Sequence, residues 1–128
     1  MRVLIADDNA VMRAVLRTIL RDEGYDVVGE AGDGSAAVRM ASQLKPDIVC
    51  LDIVMPRSDG LQALQEIRSL LPTAVVLMIS GNADRQTVEA AVAGGAFGYL
   101  LKPFNTARVV EIMTKATAKA KAAARDDN

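Results

Sequence analysis

Five side chains in this sequence have the types and positions to do chemistry together: Asp7, Asp8, Asp52, Ser80 and Lys102. Each follows a short apolar run. Val3–Ala6 precedes the aspartate pair, Ile48–Leu51 precedes Asp52, Val75–Ile79 precedes Ser80 and Gly98–Leu101 precedes Lys102. Two carboxylates ~4 Å apart repel by about 4 kcal/mol at an effective dielectric near 20, and a third makes matters worse. A cleft that gathers all three either keeps one protonated or takes up a cation. The chain has no histidine, and its one cysteine, Cys50, sits within an apolar run as a core residue. The available donors are therefore oxygens, and the matching cation is hard: Mg²⁺, or Mn²⁺ in its place. A phosphoryl group entering such a cleft brings negative charge that a lysine and a divalent cation neutralise together, and a serine hydroxyl can donate to one of its oxygens.

Taken one at a time, these residues have ordinary explanations. A strand-end aspartate is often a helix cap, and Asp8 or Asn9 fits that role alone. Lys102, before Pro103, fits a surface position. The functional reading rests on coincidence: open parallel sheets bind ligands at the carboxyl ends of their strands, and four such ends here carry the polar set. The remaining strand ends in the plain turn Gly32-Asp33-Gly34.

The elements that must do the gathering follow from apolar spacing. Val3–Ala6 is continuous, as in a strand buried on both faces. Asn9 caps a helix over 10–23, with Val11, Val15, Leu16 and Ile19 as its apolar stripe and Arg13, Arg17 and Arg21 on its wet face, closed by Gly24. Asp26–Ala31 reads as a strand, Ser35–Leu44 as a helix ended before Pro46, and Ile48–Leu51 as a third strand. Pro56 and Asp59-Gly60 bound a loop. Leu61–Leu71 is a third helix closed by Pro72, and Val75–Ile79 a fourth strand. Asp84–Ala93 is an alanine-rich helix ended by Gly94-Gly95, and Gly98–Leu101 a fifth strand. A last helix starts at Thr106 with Val109, Val110, Ile112, Met113 and Ala116 turned inward. Five strand–helix units in a row, each connection long enough for a crossover helix, predict an α/β fold. The sheet is parallel, with helices on both faces and right-handed crossovers.

Composition narrows the function. At 128 residues the chain suits one domain. Hydrophobic residues make up 51% and aromatics 3%, so the core is aliphatic. A net charge of −1 predicts neither direct nucleic-acid binding nor attraction to an anionic membrane. No apolar run is long enough for a signal peptide or a bilayer span, and a lone cysteine fits a reducing cytoplasmic setting. The absence of histidine removes Ser-His-Asp triads and histidine metal sites. An aspartyl phosphatase with an Asp-x-Asp pattern fails at Val54, which occupies the second acid's place. Flavin binding lacks aromatics, and dinucleotide or nucleotide binding lacks G-x-G-x-x-G and G-x-x-x-x-G-K-[ST]. The segment Lys115–Asn128 reads as a solvated helix end, with lysines complementing the helix dipole, in preference to a linker toward an output domain.

The sequence resembles the receiver domain of bacterial two-component response regulators, of the chemotaxis CheY type. The resemblance is carried by Val3-Leu4-Ile5-Ala6-Asp7-Asp8, by Asp52-Ile53-Val54-Met55-Pro56 with Asp59-Gly60, by Ile79-Ser80-Gly81, and by Tyr99-Leu100-Leu101-Lys102-Pro103-Phe104. It covers residues 1–122, leaving 123–128 as a polar tail. It implies a flavodoxin-like, doubly wound five-stranded sheet in strand order 2-1-3-4-5. It implies that Asp52 is the phosphoacceptor, served by a sensor histidine kinase or phosphotransfer protein that supplies the missing histidine. Asp8, Asp52 and the Val54 carbonyl would hold Mg²⁺ directly, Asp7 largely through water, and Lys102 would pair with the phosphoryl group. Ser80 and Tyr99 would act as switch residues. They would repack the face formed by the fourth helix, fifth strand and fifth helix, which meets a downstream protein or, on phosphorylation, a second copy. Beyond autocatalytic phosphotransfer and slow autodephosphorylation, the resemblance implies no enzyme activity. A receiver that never takes phosphate is disfavoured because all five polar side chains are present. Gly81 stands where the family commonly has alanine, which loosens the loop carrying Ser80. Val54 and Asn82 stand where the family varies, and an apolar Val54 cannot position an attacking water, so a moderately long-lived phosphoryl state is expected.

Overall fold

Buried strands alternate with helices from one end of the chain to the other. The computed structural model describes residues 1–55, 60–81 and 84–126, with Asp126 described by its backbone alone. The order is β1 (Arg2–Ala6), α1 (Ala10–Asp22), β2 (Asp26–Ala31), α2 (Gly34–Leu44), β3 (Ile48–Asp52), α3 (Gly60–Leu70), β4 (Val75–Ser80), α4 (Arg85–Ala93), β5 (Gly98–Leu101) and α5 (Thr106–Asp126). The strands form one sheet in the order β2-β1-β3-β4-β5, and every pairing is parallel. The expected doubly wound α/β sheet is therefore present. Pro56, Asp59 and Asn82, and residues 127–128 of the tail, lie outside the described residues.

Alternation along each strand divides the core into two layers. Val3, Ile5, Cys50, Leu77, Ile79 and Leu100 face Leu16 and Leu20 of α1 and Val109, Ile112, Met113 and Ala116 of α5. Leu4, Val49, Leu51, Val76 and Met78 face α2, α3 and α4 through Ala37, Ala41, Leu64, Ile67 and Ala91. Cys50 belongs to the first layer, and burial pushes its thiol up to about 12, so it is an inert core group.

The helices begin where polar side chains satisfy their first amides. Asn9 accepts from the Val11 and Met12 N–H groups at 2.9 and 3.2 Å. Asp33, expected only in a turn, caps α2 by accepting from Ala36 N–H at 2.8 Å. Asp84 caps α4 through Thr87 N–H, and Asn105 caps α5 through Arg108 N–H, both at 2.8 Å. Helix α5 continues through Asp126, so most of the alanine/lysine segment is helical.

Two details of the helix faces differ from expectation. On α1 the inward residues are Leu16 and Leu20, while Val11 is 70% and Val15 43% exposed. Arg13 and Arg17 do not face open water: they lie against β2, where Glu30 pairs with Arg13 Nε at 3.6 Å and Arg17 Nη1 at 2.7 Å. Leu16 and Leu20 enter the core on one side of that arginine row, which leaves the valines facing outward. On α5, Val110 is half-buried, because the inward stripe runs through Val109, Ile112, Met113 and Ala116.

Candidate functional site

In this strand order β1 and β3 are neighbours whose following helices pack on opposite faces, which opens a crevice beyond their carboxyl ends. Asp7 directly follows β1, and Asp52 is the last residue of β3. Both are nearly removed from solvent, at 3% and 4% exposure, whereas Asp8 is exposed. Oxygen atoms of Asp7, Asp8 and Asp52 all lie within 4.8 Å of one another. Sequence-distant acids thus meet at one rim, as the strand-end argument requires.

Lys102 closes the group from the other side. Its backbone N–H donates to the Ser80 carbonyl at 2.8 Å, which holds the end of β5 against β4. Its Nζ lies 2.9 Å from Asp7 Oδ2 and 3.0 Å from Asp52 Oδ2. One ammonium thereby bridges two buried carboxylates, and its side chain remains 21% exposed. The Lys102–Pro103 peptide bond is cis.

The charges are set by competition. Burial pushes the Asp52 carboxyl above its ordinary 3.8. The Lys102 hydrogen bond opposes that shift, the Asp7 charge adds to it, and the Lys102 charge and the Val54 N–H oppose it more weakly; the net direction is up. For Lys102, burial pulls the ammonium down, but the hydrogen bonds and charges of Asp7 and Asp52 outweigh it and hold the group above its ordinary 10.5. The site carries more negative charge than one lysine balances. Its donors are all oxygen, two of the three acids are buried, and they stand close enough to share an ion, so the set fits a hard divalent cation.

The other residues singled out in the sequence surround this cluster. Ser80 ends β4, is 2% exposed, and stands one residue beyond Ile79, the register partner of Asp52. The Val54 N–H donates to Asp52 Oδ1 at 3.3 Å, and its side chain is 71% exposed. Tyr99 lies on β5 opposite Met78, half-buried against the layer covered by α2, α3 and α4.

Two contributors escaped the sequence reading. A Cβ on Gly60 would sit 2.2 Å from the Asp52 carbonyl oxygen and 2.6 Å from Ile53 Cα, so the start of α3 packs directly on the end of β3 and only glycine fits. Its place beside Asp59 suggested a turn, not a close approach. Arg13, expected to face water, donates through Nη1 to the Asp7 carbonyl. Its spacing from Asp7 carries no signal until the position of β2 is known.

The family model for the response regulator receiver domain matches residues 3–114. Among curated proteins, the chain is similar to the chemotaxis protein CheY of Thermotoga maritima, at 43% identity over 114 residues covering 89% of this chain and 95% of that protein. It is also 43% identical over 118 residues to the transcriptional regulatory protein PdtaR of Mycobacterium tuberculosis, where the match covers 92% of this chain but 57% of the relative. Among solved structures, the CheX–CheY–BeF3–Mg²⁺ complex of Borrelia burgdorferi superposes with a TM-score of 0.88 at 33% identity, covering 91% of this chain and 89% of that one.

Proposed function

Because this chain belongs to the response regulator receiver domain family, we propose that it is a phosphoacceptor switch in which Asp52 takes a phosphoryl group from a phosphohistidine. The observation that carries the reading is the bridging of Asp7 and Asp52 by Lys102 at 2.9 and 3.0 Å, with Asp8 alongside. The donor is a sensor histidine kinase or a phosphotransfer protein.

A carboxylate oxygen of Asp52 attacks phosphorus, the P–O bond forms, and the P–N bond breaks with its electron pair going to the imidazole nitrogen of the donor. Lys102 pairs with the transferred oxygens, and the Ser80 hydroxyl donates to one of them. Asp8, Asp52 and the Val54 carbonyl would hold Mg²⁺ directly, and Asp7 largely through water. When bound, the cation would offset charge on the phosphoryl oxygens and relieve repulsion among the aspartates. Mn²⁺ has the same preference for oxygen ligands and replaces it. A relative solved with both Mg²⁺ and BeF3, a mimic of the phosphoryl group, supports this assignment.

Once Asp52 is modified, its negative charge no longer holds Lys102 as before, and Ser80 and Tyr99 relay the change to the face of α4, β5 and α5, where a downstream protein binds. Val54 offers no group to direct water at the acyl phosphate, so the modified state is moderately long-lived. The test is a phosphotransfer profile of purified histidine kinases against the wild-type chain and Asp52→Asn. Labelling of the wild type alone supports the reading, whereas equal labelling of both moves the acceptor elsewhere.

A further inference from the structure

Every polar atom of the Asp7 residue that the structure describes is held by the protein. Its N–H donates to the Ala31 carbonyl at 3.0 Å. Its Oδ1 accepts from the Asn9 N–H at 2.9 Å, its Oδ2 faces Lys102, and its carbonyl accepts from Arg13 Nη1. The arginine is itself oriented by Glu30, which also binds Arg17. A single surface arginine on a helix is mobile. Here Nη1 donates to a strand-end carbonyl while Nε lies 3.6 Å from a carboxylate on the neighbouring strand, so charge draws the guanidinium toward the place from which it holds that carbonyl.

The position of Glu30 depends on an irregularity in the sheet. Val3 pairs with Val27, but Leu4 pairs with Gly29, so the register slips by one residue between them. Val27 packs with the layer that holds α1 and α5. With unbroken alternation Gly29 would share that face and Glu30 would point toward α2. Instead, a Cβ at Gly29 would meet Leu44 and Met40 of α2, and Glu30 points at the arginines of α1. An extra residue in a strand re-aims the side chains that follow it, and such slips are common on edge strands such as β2.

We infer that Arg13 is a positioning residue for the cation site, with Glu30 and the β1–β2 register slip as its support: it holds the Asp7 carbonyl so that Asp7 and Asp8 present their carboxylates toward Asp52. This rests on the reading of Asp7, Asp8 and Asp52 as a cation site. Arg13 touches neither the cation nor the phosphoryl group; it acts through the peptide that carries the ligands.

Sign separates positioning from charge. Arg13 is a cation near an acidic cluster, so electrostatics alone would make its removal strengthen Mg²⁺ binding. Loss of positioning weakens it, by roughly tenfold if Arg13 behaves as outer-sphere partners of metal ligands commonly do. Arg17 is the internal control, since it shares Glu30 and the same charge but donates to Glu30, not to the Asp7 carbonyl. The experiment measures Mg²⁺ affinity by calorimetry for the wild type, Arg13→Met and Arg17→Met, with melting in chelator as the check on folding. Methionine keeps most of the packed stem and removes only the donors. The inference predicts about tenfold weaker binding in Arg13→Met and unchanged or slightly tighter binding in Arg17→Met. It also predicts that labelling of Arg13→Met by acetyl phosphate approaches the wild-type rate once Mg²⁺ is saturating. Unchanged or tighter Mg²⁺ binding in Arg13→Met overturns it, as does equal weakening in both variants. If Arg13→Met does not fold, Glu30→Gln takes its place, and Mg²⁺ affinity no weaker than that of Arg17→Met overturns the inference. A wild-type chain that binds no Mg²⁺ overturns the site reading first and this inference with it.

Discussion

Replacing Lys102 by methionine tests how the acidic cluster is held together when no divalent ion is supplied. The ammonium lies 2.9 and 3.0 Å from oxygens of Asp7 and Asp52. At an effective dielectric near 20, each contact is worth about 5–6 kcal/mol of Coulomb attraction before desolvation is counted. The Asp7 and Asp52 oxygens, within 4.8 Å of each other, repel by at least about 3 kcal/mol on the same scale. Removing one partner from a buried ionic group costs about 3–5 kcal/mol. A fifth of the Lys102 side chain is open to solvent, which places the loss at the low end, about 3 kcal/mol. For 128 residues the unfolding entropy is about 0.27 kcal/mol/K, so the melting temperature in chelator should fall by about 11 °C at pH 7.

The pH dependence carries the sign. Asp52 is already raised above 3.8 in the folded protein, and losing Lys102 raises it further. The folded state then binds more protons than the unfolded state between 3.8 and the raised value, so stability declines as pH climbs through that window. The defect of Lys102→Met should therefore shrink as the pH is lowered from 7 toward 4. Mg²⁺ should also raise the melting temperature of the variant more than that of the wild type. Thermal melts in chelator and in Mg²⁺ across this range provide the assay. A variant as stable as the wild type at pH 7, or one whose defect deepens on acidification, would refute the electrostatic account.

Further outcomes are expected from the same geometry. Mg²⁺ at a hundredfold excess over its dissociation constant should stabilise the wild type by about 2.7 kcal/mol, or about 10 °C in melting temperature, and most of that shift should vanish in Asp52→Asn; an equal shift in both, read by calorimetry, contradicts shared ligation. Gly60→Ala should be strongly destabilising, because its Cβ would meet Asp52 backbone at 2.2 Å, while Gly81→Ala, whose Cβ meets nothing within 4 Å, should be neutral or stabilising by about 0.5–1 kcal/mol in urea melts. At alkaline pH the wild type should lose the stability that the Lys102 pairing supplies, which is intact below 10.5 and disappears as pH passes the raised folded value; Lys102→Met should lack that loss.

The fold was legible because its strands are short apolar runs buried on both faces, and turn and cap residues punctuate them. Strand and helix limits fall within a residue or so of those read from Val3–Ala6, Ile48–Leu51 and Val75–Ile79. Convergence of Asp7, Asp8, Asp52 and Lys102 was legible too, since residues just past the ends of parallel strands share one rim. What escaped depends on rotation and register. Val11 and Val15 fit an apolar stripe as well as Leu16 and Leu20 do, and only the tertiary packing of α1, with Leu16 and Leu20 in the core and Arg17 against Glu30 of β2, shows which pair turns inward. The grip of Arg13 on the Asp7 carbonyl depends on a register slip that apolar alternation in Asp26–Ala31 does not reveal. The close approach of Gly60 to Asp52 is a tertiary contact between a helix start and the strand before it, and local composition indicates only a turn there.

The most direct test of the phosphoacceptor assignment is to find the modified atom. The chain is incubated with acetyl phosphate and Mg²⁺, and borohydride then reduces any acyl phosphate to the corresponding alcohol, converting an aspartyl phosphate to homoserine. Peptide mass spectrometry locates the product. The account predicts homoserine at position 52, dependent on Mg²⁺. Homoserine at position 7 or 8 instead, or none anywhere in a chain shown to be folded and to bind Mg²⁺, would contradict it.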